Sequence, residues 1–252
     1  MPAFFASSEK SQFPFDFFAA SFYLMTRYEE YMPYTTDDLG RFKSEQSLAY
    51  KYNFLDLPLI DMWFNHFVAV WTNFFELPSF SQQLNTAELV VEIPQLYAYK
   101  YKTLFRSFFE GLYNLGSLKF AMTFDRLMVV LRFREDPLVG LIEQMEAFRS
   151  TTVSFRFFAL YATLGVHDKS LSVFSKKHQQ DLKSLSDYAP TAPLASFEST
   201  QKKQQLKQDI NRFSGLIHRP IKAIRQHKLV LRFPETYRAY ASLGIKHDYS
   251  MQ

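Results

Sequence analysis

The sequence predicts an α/β protein built on an incomplete (β/α) barrel-like parallel sheet, with a small helical region before it. From residue 86 onwards, short apolar runs such as L-V-V-E-I at 89–93 alternate with amphipathic segments of helical length. This alternation is typical of βαβ units, whose strands are parallel. The chain has 252 residues and is 47% hydrophobic, so it can bury the core that such a sheet needs.

The predicted elements follow the two regions in order. We predict strands near 88–93, 153–160, 189–194, 222–227 and 245–249, and helices over 13–34, 57–76, 97–134, 136–148, 175–187, 201–216 and 233–243. Residues 1–85 form the helical N-terminal region, and residues 86–252 form the barrel-like domain. Asp16 is the predicted cap of the first helix, in which Phe18, Phe22 and Met25 recur at helical spacing.

Composition excludes several classes of function. The chain contains no cysteine, which rules out disulfides, thiolate metal sites and cysteine nucleophiles. The net charge is +4, and no basic block is present, so we expect no nucleic-acid partner. No run of about 18 uncharged apolar residues exists, so we expect no membrane partner. The first residues do not match a signal peptide, and we expect a cytoplasmic protein.

Residues 222–250 concentrate polar side chains where two predicted strands end. Arg225 and His227 close the fourth strand, and Asp248 lies in the fifth. Because α/β enzymes carry their chemistry at the carboxyl ends of parallel strands, these residues are candidates for a functional site. The alternative is that an arginine and a histidine after a strand simply border a loop.

The same stretch resembles a known family. R-Q-H-x-L-x-L-R-F-P-E-T-Y at 225–237, followed by G-I-x-x-D-Y-S-M at 244–251, is similar to the later part of NodB-like polysaccharide deacetylases of the Bacteroidetes type. Further similar stretches lie at 13–16, 28–31, 40–42, 47–51 and 97–100, so the resemblance spans nearly the whole chain. It implies a (β/α) barrel and metal-dependent hydrolysis of N- or O-acetyl groups on a carbohydrate. Family members extend beyond both ends of this sequence, so we expect a truncated barrel.

The resemblance also implies that the metal ligands are replaced. In the family, a catalytic base and a metal-binding carboxylate are separated by one residue at the end of the first strand. The matching positions are Glu92 and Pro94, and the family's metal-binding histidine matches Leu194. Proline and leucine offer no donor atom to a divalent metal such as zinc. We therefore expect no metal cofactor in this chain, and weak or absent activity.

The candidate site consists of positions other than the two replaced metal ligands. The candidate catalytic residues are Glu92, Arg225, His227 and Asp248, and the candidate substrate-binding residues are Tyr97, Tyr99, Ser196 and Phe197. In the family, the residues matching the arginine and the acid help to position the catalytic groups. A carbohydrate is the expected partner.

Three functions remain open from the sequence. The chain is a degenerate deacetylase, a non-catalytic carbohydrate-binding or structural pseudoenzyme with an aromatic-rich mouth, or a metal-independent hydrolase that uses Glu92 and His227. His167 and Asp168 follow the second predicted strand and approach the same edge, but no pair of histidines has metal-ligand spacing. An open barrel exposes strand edges, so we also expect self-association.

Overall fold

The computed structural model describes residues 4–7, 11, 13–75, 86–101, 120–136, 138 and 152–251. Residues 102–119 of the helix predicted over 97–134, and all but Asp136 and Leu138 of the helix predicted over 136–148, therefore lie outside the described residues. The chain divides into two compact units, Met1–Gln83 and Leu84–Gln252.

The first unit contains three α-helices among its described residues. They are α1 (Phe17–Met25), α2 (Leu48–Lys51) and α3 (Leu59–Trp71), with 3-10 turns at Tyr28–Tyr31 and Ser44–Gln46. The Asp16 carboxylate accepts a hydrogen bond from the Ala19 N–H at 2.9 Å, so the predicted cap is confirmed. The helix predicted over 13–34 is too long, because Arg27 has φ 51° and this left-handed conformation cannot continue an α-helix.

Aromatic packing holds the first unit together. Phe15, Phe54 and Trp63 are buried in one cluster with Ala20 and Leu59. Trp63, which is 1% exposed, contacts the Phe15 ring at a centroid distance of 5.1 Å. Burial of such large rings is the main stabilising contribution that these short helices have.

The second unit is organised around a five-stranded parallel sheet. Its strands are β1 (Ala87–Ile93), β2 (Val153–Ala159), β3 (Thr191–Ala195), β4 (Ala223–Gln226) and β5 (His247–Asp248). They pair in chain order, and every pair is parallel. The sheet curls into half of a barrel, which confirms the predicted α/β fold with an incomplete barrel-like sheet.

Helices follow the strands as a βαβ pattern requires. They are α4 (Phe120–Val130), α5 (Lys176–Tyr188), α6 (Lys203–Ile217) and α7 (Glu235–Ser242). Ser175 caps α5 by accepting a hydrogen bond from the His178 N–H at 3.4 Å. Leu182 of α5 and Phe213 of α6 are fully buried and pack with Ala159 and Tyr161. These two helices therefore cover the outer face of β2 and its continuation.

The five strands are not equally protected. All four residues of β4 are buried, whereas Leu89 and Val90 of β1 are 45% and 38% exposed. The register pairs Glu92 with Phe158 and Leu194 with Arg225, so the carboxyl ends of the strands lie along one edge. We call this the carboxyl edge. Within the ranges given above, no helix has the length and apolar character needed to cross a membrane.

Candidate functional site at the carboxyl edge

The first feature of the carboxyl edge is an ion pair between β1 and β4. The Arg225 Nε donates to the Glu92 Oε1, and the Arg225 Nη1 donates to the Tyr249 carbonyl oxygen. Because β2 and β3 lie between the two strands, this pair bridges the concave face of the curled sheet. The Arg225 side chain is 9% exposed and the Glu92 side chain 31% exposed, so the carboxylate remains open to water.

A second pair lies at the same edge and is buried. The His227 Nδ1 lies 2.8 Å from the Asp168 Oδ1, and the two side chains are 6% and 2% exposed. Asp168 follows β2 and His227 follows β4, so the pair crosses the carboxyl end of β3. The Phe197 N–H donates to the Asp168 Oδ1 at 2.8 Å, and the Glu198 N–H donates to Oδ2 at 3.4 Å. Asp168 is thus an acceptor for three donors from two separate segments.

Asp248 braces the ends of the last two strands. Its Oδ1 accepts hydrogen bonds from the Ser250 N–H at 3.0 Å and the Ser250 Oγ at 2.6 Å, and its Oδ2 accepts one from the Tyr237 hydroxyl at 2.8 Å. The Gln226 N–H donates to the Ser250 Oγ at 2.8 Å, which joins β4 to the turn after β5. These partners belong to α7 and the strand ends, so Asp248 has a supporting role in the geometry of the edge.

The predicted substrate-binding residue Ser196 faces away from the concave side. Its N–H and Oγ donate to the Asp209 Oδ2 of α6, at 3.2 and 2.5 Å, and Ser196 is 2% exposed. Burial raises the pKa of Asp209 above its ordinary value, although the hydrogen bonds from Ser196 and Gln205 act in the opposite direction. Phe197 lies beside it, with its ring centroid 4.2 Å from that of His167.

The other two predicted substrate-binding residues also have separate partners. The Tyr97 hydroxyl donates to the Asp181 Oδ2 of α5 at 2.8 Å. Burial, together with the Asp181 carboxylate, raises the pKa of Tyr97 to about 12. The Tyr99 N–H donates to the Asp136 Oδ2 at 2.8 Å. The Tyr97 hydroxyl and the Ser196 side chain thus bind carboxylates on two different helices, Asp181 of α5 and Asp209 of α6.

Pro94 and Leu194, the positions that the resemblance matches to metal ligands, do not fit a zinc ion. Pro94 is exposed and has no side-chain donor, while Leu194 is 1% exposed and packs with Phe158 and Leu160. A zinc site needs three or four nitrogen, oxygen or sulfur ligands in tetrahedral geometry. In the part of the chain that the structure describes, no three histidine, aspartate or glutamate side chains lie close enough to hold a metal ion.

Sequence reasoning missed a third polar group, deeper on the concave face. The Arg156 Nε donates to the Glu88 Oε1 at 2.9 Å, and the Tyr249 hydroxyl donates to the Glu88 Oε2 at 2.9 Å. The Arg156 guanidinium carbon also lies 5.3 Å from the centre of the Tyr249 ring. Glu88 and Glu92 are four residues apart on one strand and therefore share a face, which is the signal that could have identified this group.

Tyr249 connects the two arginine–glutamate pairs. Its hydroxyl binds Glu88, its carbonyl oxygen accepts from Arg225, and its ring lies 5.0 Å from the Phe158 ring. We call Glu88, Glu92, Arg156, Arg225 and Tyr249 the concave polar network. It contains two carboxylates and two guanidinium groups, so its formal charges balance.

Comparison with known proteins adds one match. A family model described as a family of unknown function (DUF7033) matches residues 1–76. The match ends before β1 begins at Ala87, so it covers none of the strands that carry the candidate site. No curated protein and no solved structure matches the chain.

Proposed function

We propose that this chain is a polysaccharide deacetylase-like protein that keeps the frame of the family's site but binds no catalytic metal and does not remove acetyl groups. The observation that carries the proposal is the Glu92–Arg225 pair at the carboxyl edge, flanked by Pro94 and Leu194 in the positions where the family has metal ligands.

The chemistry of deacetylation explains why the replaced ligands matter. A bound metal ion lowers the pKa of its water and polarises the acetyl carbonyl group. Glu92 retains a carboxylate that is able to accept a proton, and Arg225 keeps it in place across the sheet. Neither side chain generates a hydroxide nucleophile at neutral pH. A base without an activated water is expected to give little or no turnover.

An assay of acetate release from acetylated oligosaccharides tests this proposal. We expect no turnover by the unmodified chain. Pro94→Asp with Leu194→His restores two ligand types, and adding Glu92→Asp shortens the base to the length found in the family. This triple variant should gain zinc-dependent acetate release, because the base must be placed within about 0.5 Å of its productive position. Zinc-independent or zinc-dependent turnover by the unmodified chain would contradict the proposal.

A matched control separates ligand chemistry from repacking. Leu194 belongs to a buried cluster with Phe158, Leu160 and Ala192, so a histidine there also disturbs the core. Pro94→Ala with Leu194→Met and Glu92→Asp changes the same three positions without adding a ligand. If this control releases acetate as well as the triple variant does, the gain is unrelated to metal binding and the ligand assignment is wrong.

Carbohydrate binding without catalysis is the second candidate. The observation that favours it is the concave polar network, whose Glu88 and Arg156 side chains are 34% and 26% exposed and whose charges balance. Paired charges beside an aromatic ring suit a neutral ligand that is rich in hydroxyl groups. Titration calorimetry with neutral acetylated oligosaccharides tests it. Three results together would favour this candidate: the unmodified chain binds the oligosaccharides, Glu88→Gln or Arg156→Met abolishes the binding, and no acetate is released.

A further inference from the structure

The orientation of the His227 ring is fixed by one nitrogen. The Nδ1 lies 2.8 Å from the Asp168 Oδ1, and a carboxylate only accepts hydrogen bonds. Nδ1 must therefore carry the proton that is donated to Asp168. In a neutral imidazole this leaves Nε2 with an unshared electron pair, as an acceptor.

The Nε2 atom of His227 reaches solvent. Among the described residues, the buried side-chain nitrogen and oxygen atoms that lack a partner are Ser21 Oγ and Arg212 Nη1. No hydrogen bond joins His227 Nε2 to a described residue, yet Nε2 is not one of these buried atoms without a partner. The small exposed part of this side chain, 6% in total, therefore includes Nε2.

Asp168 is itself held from several sides, so the ring cannot easily rotate away. The N–H groups of Phe197 and Glu198 bind its carboxylate, and the Gly165 N–H donates to its carbonyl oxygen at 3.0 Å. The Glu198 Oε1 and the Asp168 Oδ2 lie 3.4 and 3.6 Å from the point where a side chain on Gly165 would begin, so both acids border this glycine. The carboxylate is thus anchored by backbone groups that substitutions do not remove.

We infer that Asp168 is a positioning residue that holds His227 in the Nδ1-protonated form, and that His227 Nε2 is an acceptor site at the carboxyl edge for an O–H donor. The donor is a water molecule or a ligand hydroxyl group, which share this chemistry. A carboxylate behind a histidine whose other nitrogen is open is the arrangement that enzymes use to orient an imidazole for proton transfer. The inference does not depend on the deacetylase-like assignment, because neither residue belongs to the Glu92–Arg225 pair.

Two measurements on the full chain test this inference. Nitrogen-15 spectra of histidine-labelled protein, recorded at a pH where the ring is neutral, report which ring nitrogen carries the proton. Diethyl pyrocarbonate reports whether Nε2 is open, because an unprotonated ring nitrogen attacks its carbonyl carbon and releases ethyl carbonate. Peptide mapping then gives the extent of modification at each histidine. The exposed His247 is the positive reference, and the buried His178, which is 1% exposed, is the protected one.

Two substitutions of Asp168 separate positioning from simple anchoring. Asp168→Asn keeps an oxygen that accepts from the Phe197 N–H and His227 Nδ1, and loses only the acceptor of the longer bond from the Glu198 N–H. Asp168→Ala removes the acceptor. We expect the Nδ1-protonated form in the unmodified chain and in Asp168→Asn, with measurable modification at Nε2. In Asp168→Ala the proton should move to Nε2, and the modification rate of His227 should fall by at least several-fold while that of His247 is unchanged.

Several outcomes would overturn the inference. An Nε2-protonated ring in the unmodified chain contradicts the assigned proton position. A His227 that is modified no faster than His178 shows that Nε2 is not accessible. An unchanged proton position in Asp168→Ala, with native spectra for His178, shows that Asp168 does not set it. If Asp168→Ala does not fold, the unmodified chain and Asp168→Asn still decide the first two points.

Discussion

The Glu92–Arg225 and Asp168–His227 pairs at the carboxyl edge differ in how they are held. Glu92 is carried by the most exposed strand, its side chain is 31% exposed, and its partner Arg225 reaches it across two strands. Asp168 is 2% exposed and is bound by two backbone N–H groups as well as by His227. Water can therefore replace the partner of Glu92, but it cannot reach Asp168 to replace its partners. A change at Glu92 is therefore expected to disturb the fold less than a change at Asp168.

The largest effect is expected from Asp168→Ala. It leaves His227 and two backbone donors without their acceptor, and unpaired polar groups in the interior are costly. We expect the free energy of unfolding to fall by about 3 kcal/mol. Asp168→Asn, the isosteric control, should lose less than half of that. Denaturant unfolding followed by circular dichroism measures both, and equal losses in the two variants would contradict the anchoring described here.

A smaller loss is expected from Arg225→Met. The methionine keeps most of the apolar volume, but the Tyr249 carbonyl oxygen loses its donor, and Glu92 turns to water. We expect a cost of about 1–2 kcal/mol in the free energy of unfolding. Glu92→Gln is the matched control and should change stability by about 1 kcal/mol or less, because the amide oxygen still accepts from the Arg225 Nε. If Arg225→Met costs more than Asp168→Ala, the ranking of the two pairs is wrong.

Asp209, beneath Ser196, should give a pH dependence of modest size. Burial raises its pKa in the folded chain above the ordinary value of 3.8. Its contribution to stability is therefore fully present below pH 3.8 and is lost as the pH rises through the folded-state pKa. Asp209→Asn does not ionise, so its stability relative to the unmodified chain should improve from acidic to neutral pH. Denaturant unfolding at acidic and at neutral pH measures this difference. If Asp209→Asn instead loses stability relative to the unmodified chain as the pH rises, the predicted sign is wrong.

The smallest expected effect concerns the exposed strand β1. Val90 is 38% exposed, whereas β4 is wholly buried, so β1 is the edge that we expect to support self-association. Val90→Lys should reduce the apparent mass at high protein concentration without changing the melting temperature by more than a few degrees. Lys246→Ala, near β5, is the control. Light scattering that shows a monomer for the unmodified chain at all concentrations would remove this prediction.

The strands could be predicted from sequence because their signals are local. The apolar runs near 88–93 and 153–160 coincide with β1 and β2, and Ser175 and Asp16 cap helices at the positions that their residue types favour. The long helix predicted over 13–34 failed because the left-handed backbone at Arg27 has no signature in residue type or spacing.

The partners within the site could not be predicted from local signals. Arg225 meets Glu92 across 133 positions in the chain, and His227 meets Asp168 across 59. Only the curl of the sheet brings these residues together. Ser196 and Tyr97 follow β3 and β1 in the chain, and their hydroxyl groups turn towards α6 and α5, because acids on those helices offer acceptors.

Zinc content tests most directly the proposal that the carboxyl edge binds no metal. The purified chain first receives one equivalent of zinc and is then dialysed against metal-free buffer. Elemental analysis then gives its zinc content beside that of the variant carrying Pro94→Asp and Leu194→His. We expect no stoichiometric zinc in the unmodified chain and a clear gain in the variant, because zinc requires several nitrogen or oxygen ligands at roughly 2.0–2.2 Å. One equivalent of tightly held zinc in the unmodified chain would contradict the account.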